Sequence, residues 1–147
     1  MKIDTHTRHA IQHTFHCLIG CGIGEVTGMT IAALLGWGSV GRISLAVFLA
    51  FCFGYGLTYF GVRKQTATSG EAIRITLATD TISITTMEIV DNAVEFMIPN
   101  ALMVQVTSPI FWSSLAISLA IAFVVTVPVN RYMMKRQSHG HHMHHHM

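Results

Sequence analysis

The chain has 147 residues, a formal net charge of +2, and 51% hydrophobic against 11% charged residues. A mean hydropathy of +0.50 belongs to a membrane protein, and the length allows one domain. So small a net charge argues against a nucleic-acid partner. The three cysteines, Cys17, Cys21 and Cys52, all lie in apolar stretches, which excludes a secreted disulfide framework.

Four apolar spans follow one another: His13 to Trp37, Ile43 to Val62, Ala72 to Ile98 and Ile110 to Val129. Each meets the roughly 20 residues a helix needs to cross a bilayer core about 30 Å thick. Turn chemistry separates them at Gly36-Trp37-Gly38-Ser39, at Lys64 to Gly70, and from Pro99-Asn100 to Ser108-Pro109. The first span is read as a retained helix: it is too long for a signal peptide and carries Glu25. The expected fold is therefore all-α, a polytopic membrane protein of four transmembrane helices. Residues 1–12 form a cytoplasmic His-containing segment, 13–131 the transmembrane domain and 132–147 a cytoplasmic His/Met-rich tail. With both termini inside, Lys2, Arg8, Arg63, Lys64, Arg74, Arg131, Lys135 and Arg136 are cytoplasmic, and of the nine basic residues only Arg42 is outside. The positive-inside rule favours that orientation, and Trp37 and Trp112 then fall at the outer interface.

The first span carries a metal-ligand pattern. His13, Cys17, Cys21, Glu25 and Met29 recur at every fourth position and form a slowly winding stripe on a helix. His16 joins His13 and Cys17 within one turn. His and Cys suit borderline and soft metals, Met thioether chiefly Cu(I), and carboxylate harder ions. Gly20, Gly24 and Gly28 form a small-xxx-small ridge, best explained by close helix packing. In the second span, Gly54 and Gly56 read as packing residues and Cys52, between two phenylalanines, as a small hydrophobe.

The third span is the most polar. At about 100° per residue, Asp80, Glu88, Asp91 and Glu95 fall with Thr76 and Met87 within an arc of about 120°. Ile75, Ala78, Ile82, Ile89, Ala93 and Phe96 occupy the other side. An acidic side chain at mid-bilayer costs about 2.5–3.5 kcal/mol on insertion scales and marks a functional site by default. Such a face does not point at lipid. Packing alone, with protonated carboxyls bonded to Thr76, Thr81 and Asn92, is the other reading, and four carboxyls on one face weigh against it. The tail adds His139, His141, His142, Met143, His144, His145 and His146. Gly140, Met143 and the terminal Met147 interrupt it unlike a uniform purification tag, and a His/Met tract gathers metal.

The segments HCLIGCGIGEVTGM (His16–Met29), DTISITTMEIVDNAVEFMIP (Asp80–Pro99) and SPIFWSSLAISLAIAFVVTVPVNR (Ser108–Arg131) resemble a bacterial family of small four-helix membrane proteins, a domain of unknown function. The resemblance runs from His13 to Arg131. It implies a multi-pass protein of the bacterial inner membrane and an association with metal, especially copper, contexts.

These residues together are expected to bind and transport a transition-metal ion, Cu(I) ahead of Zn(II) or Fe(II). The ligands would be His13, His16, Cys17, Cys21, Glu25, Met29, Glu88, Asp91 and Glu95, with Thr76, Asp80, Met87 and Asn92 as a secondary polar path. A thin four-helix bundle suggests a symmetric homo-oligomer, and the cytoplasmic histidines suggest a metallochaperone partner. Two other readings stand beside this one. The first is an intramembrane metal- or haem-dependent oxidoreductase, against which the cysteines are spaced CxxxC rather than CxxC. The second is a proton-conducting or assembly subunit. No nucleotide-binding loop, nucleophile elbow or zinc-protease signature is present, so ATP-driven transport by this chain alone is not expected. The chain is read as a transporter or metal-binding membrane protein rather than an enzyme.

Overall fold

A computed structural model describes residues 4–63 and 69–143. It is all-helical: α1 (Thr5–Leu34), α2 (Ser39–Arg63), α3 (Ser69–Met97), a 3-10 turn (Ala101–Met103) and α4 (Pro109–Met143). Three of these, α1, α2 and α4, are long and apolar enough to cross a membrane. The third helix is long enough as well, but Asp80, Glu88, Asp91 and Glu95 lower its apolarity. All four carboxylates are buried, while Ile82, Ile89 and Phe96 on its other side are exposed. Its composition is polar because its inward face is.

The helices overrun the expected spans. The first begins at Thr5 rather than near His13, so His6, His9 and His13 stand on one continuous helix. The fourth continues past Val129 to Met143, where the sequence suggested a low-complexity tract. It passes through Pro128, which has no N–H for the Val124 carbonyl. Turn chemistry sets the other ends. Gly36 takes φ +70 after the last turn of α1, and Asn100 takes φ 65 after Pro99.

Neighbouring helices run antiparallel in the order α1, α2, α3, α4 around a bundle. The first and third also meet across the diagonal, and among the described residues α2 and α4 do not touch. The Ser39 hydroxyl donates to Met103 Sδ at 2.8 Å, joining the α1–α2 turn to the α3–α4 connection at one end. At the other, Asp4 lies 3.8 Å from Arg131.

The glycine ridge explains how α1 is held. Gly20, Gly24 and Gly28 lie directly on Gly54, Ala50 and Ala46 of α2, and a Cβ at Gly20 would come 2.8 Å from the Gly54 Cα. The partner is thus α2, and the ridge turns the Cys/Glu stripe of α1 toward α3 and α4. Two expectations fail here. Gly56 has no neighbour within 4 Å of where a Cβ would sit. Cys52 is exposed on α2, where its turn of helix faces away from the bundle.

Candidate metal-ligand centre

Two groups of buried ligands occupy the diagonal between α1 and α3. In the first, His13 bridges the helices: Nε2 is 2.9 Å from Asp80 Oδ1, and Nδ1 is 3.9 Å from Cys17 Sγ. One ligand atom each from His13, Cys17 and Asp80 lie within 4.8 Å of one another. Cys17 and Asp80 are fully buried, and His13 is partly open. Among the described residues no further hydrogen-bond donor reaches either Asp80 oxygen.

The second group is Glu25 from α1 with Asp91 and Glu95 from α3, again with one oxygen of each within 4.8 Å. Asp91 also lies against Ser118 of α4. The Ser118 hydroxyl donates to the Leu115 carbonyl at 3.0 Å, and both Asp91 oxygens lack a donor, as do Glu25 Oε2 and Glu95 Oε2. Three carboxylates this close, with four of their six oxygens buried away from any donor among the described residues, repel one another unless a cation or protons balance them. The eleven positions from Asp80 to Asp91 place the groups about 16 Å apart along α3.

Between them lies sulfur. Cys17, Cys21 and Met87 share one fully buried cluster with Ala50, Ile84 and Ala122. Cys21 lies near Glu88, whose backbone carbonyl and Oε2 accept from Asn92 Nδ2 at 2.8 and 3.5 Å. Two expected ligands stand elsewhere. His16 is exposed and donates from Nδ1 to the Gln12 carbonyl at 2.8 Å, turned away from Cys17. Met29 packs with Ala46, Phe111 and Leu115 in an apolar cluster. Thr81 is bound to Tyr55 and the Leu77 carbonyl rather than to a carboxyl. The side chains of Thr76, His139, His141, His142 and Met143, and all of His144, His145 and His146, lie outside the described residues.

The fourth helix contributes polar groups that the sequence analysis did not single out. Ser114, Ser118, Thr126 and Asn130 are buried along its inner face. The Asn130 amide donates from Nδ2 to Thr14 Oγ1 at 2.7 Å and to Ser83 Oγ at 3.0 Å, joining three helices. The signal was available: Ser114, Ser118, Ala122, Thr126 and Asn130 recur every fourth residue in an otherwise apolar helix. A cavity of about 540 Å³ between α1 and α4 is separate from all this, an apolar groove lined by Leu18, Gly22, Trp112 and Leu119.

An all-helical bundle with three membrane-length helices defines the class: a membrane-associated helical protein, here with buried side-chain groups that could hold a metal ion. Within that class the chain belongs to the family described as Domain of unknown function (DUF4396), which matches residues 7–139. The match includes His13, Cys17, Glu25, Asp80, Asp91 and Glu95. No curated protein and no solved structure matches the chain.

Proposed function

We propose that this protein binds a transition-metal ion within the bilayer and carries it across. The observation behind this reading is the pair of buried groups, His13/Cys17/Asp80 and Glu25/Asp91/Glu95, about 16 Å apart on one diagonal of the bundle. Ionisable side chains inside a membrane mark ion pathways, and conduction needs sites that bind yet release. The donor sets speak to the ion. One imidazole, one thiolate and one carboxylate, followed by three carboxylates, suit a divalent ion such as Zn(II) or Fe(II). Copper, as Cu(I), is the second reading, favoured by the buried set Cys17, Cys21 and Met87.

In this reading both termini are cytoplasmic in a bacterial inner membrane, as the basic residues favour. The His13 end then receives the ion, with the His/Met tail and a metallochaperone nearby, and the protein works as a homo-oligomer. Flux into liposomes holding a metal-sensitive dye tests the proposal. The full chain should pass Zn(II), Fe(II) or Cu(I) faster than empty liposomes, and Glu25→Gln with Asp91→Asn should abolish the difference. Flux equal to that of empty liposomes for all three ions would overturn it.

A further inference from the structure

The stretch between the two ligand groups has a wall of neutral oxygens, and two of them have nothing to bind. Asn130 spends both amide hydrogens on Thr14 and Ser83, and Thr14 in turn donates to the Ala10 carbonyl at 2.7 Å. That leaves Asn130 Oδ1 buried with no donor. One turn away on the same face, Thr126 Oγ1 is also buried and has no partner among the described residues. Thr14, Ser83, Thr126 and Asn130 are each fully buried. Buried polar atoms of native proteins are almost always satisfied, by protein or by ordered water, so a pair of vacant acceptors on one face is a sign of a ligand.

Position gives the pair its meaning. Thr14 follows His13 in sequence, and Ser83 lies one turn from Asp80 on the inward face of α3, so Asn130 sits beside the first group. Ser118, two turns from Thr126, lies against Asp91 in the second. The inner face of α4 therefore runs from one group to the other, with Ala122 as its smallest side chain and Cys17, Cys21 and Met87 opposite. Pro128 stands between Thr126 and Asn130 and leaves the Val124 carbonyl without its helical partner. Amide and hydroxyl oxygens replace part of a cation's water shell without holding it by charge.

We propose that Thr14, Ser83, Thr126 and Asn130 enclose an internal station that binds water or a partly hydrated cation in passage between the two ligand groups. This rests on the transport reading for its role, and on the orphaned Thr126 and Asn130 oxygens for its existence. A purely structural clamp would need only the two Asn130 bonds and would leave Thr126 without a task.

Thr126→Val removes the hydroxyl and keeps the shape; Thr126→Ser keeps the hydroxyl. In liposomes carrying the full chain, Thr126→Val should slow metal flux about tenfold while the metal bound per chain is unchanged, and Thr126→Ser should conduct like the parent. Parental flux in Thr126→Val would overturn the proposal. A second measurement needs no transport. Thr126→Cys is placed in a chain with Cys17→Ser, Cys21→Ser and Cys52→Ser and treated with a small cationic methanethiosulfonate, which reacts with thiolate in water. Modification much faster than at Val124→Cys, an outward-facing position, supports the station, and modification as slow as there overturns it. A parent chain that moves no metal would overturn the transport reading, and the labelling alone would then decide on the station.

Discussion

His13 and Asp80 are unequal partners, which makes the pair informative. Asp80 is fully buried with His13 as the neighbour of its Oδ1, whereas His13 keeps 17% of its side chain exposed. Removing the imidazole strands a carboxyl in the interior; removing the charge of Asp80 strands a group with access to water. His13→Leu should therefore lower stability more than Asp80→Asn, by about 1–3 kcal/mol. Unfolding of the two variants in detergent by denaturant titration checks the order, and an equal loss would contradict the asymmetry of the pair. The carboxylate trio gives the opposite sign. Glu25→Gln relieves repulsion within Glu25/Asp91/Glu95, so the metal-free variant should melt higher than the parent. It should also show a smaller rise in melting temperature on binding an ion than the parent does. Thermal unfolding with and without Zn(II) reads both effects.

At the scale of elements, the contact of α1 with α2 fixes the register that brings α1 to the diagonal. Gly24 has no room for a side chain against the Ala50 backbone. Gly24→Val should cost about 1–3 kcal/mol or more, and Gly56→Ala, with open space around it, should be neutral or stabilising by up to about 1 kcal/mol. Thermal unfolding of the two variants in detergent distinguishes them, and equal melting temperatures would refute the packing account. The sequence displayed much of this level. Periodicity alone placed Asp80, Glu88, Asp91 and Glu95 on one face of α3, because 3.6-residue repetition survives in any helix. It did not reveal that His16 turns away, since i, i+3 and i+4 spacing brings side chains to one side of a helix without deciding their rotamers. Nor did it place Asn130 against Thr14 and Ser83, contacts that depend on which helices are neighbours.

For the whole molecule, four helices and their antiparallel order were legible from hydropathy and turn residues, whereas the diagonal was not. Which pair of helices closes that diagonal depends on small residues: α1 sinks onto Gly54, Ala50 and Ala46 and so approaches α3. The ends of the first and fourth helices were also hidden, because His6, His9 and the residues beyond Val129 are polar yet remain helical. Topology is a prediction at this scale. Cysteines introduced at Thr5 and at Gly38 of an otherwise Cys-free chain in cells should differ in labelling by an impermeant maleimide, with Gly38 modified and Thr5 protected. The reverse pattern would place the His13 end outside.

Whether the buried groups hold a metal ion is read by elemental mass spectrometry of detergent-purified protein. The chain is truncated after Gln137 so that tail histidines do not contribute, and incubated with Zn(II), Fe(II) and Cu(I) in turn. The account expects about one ion or more per chain, reduced in Cys17→Ser and in Glu25→Gln. A folded parent that retains none of the three would contradict it.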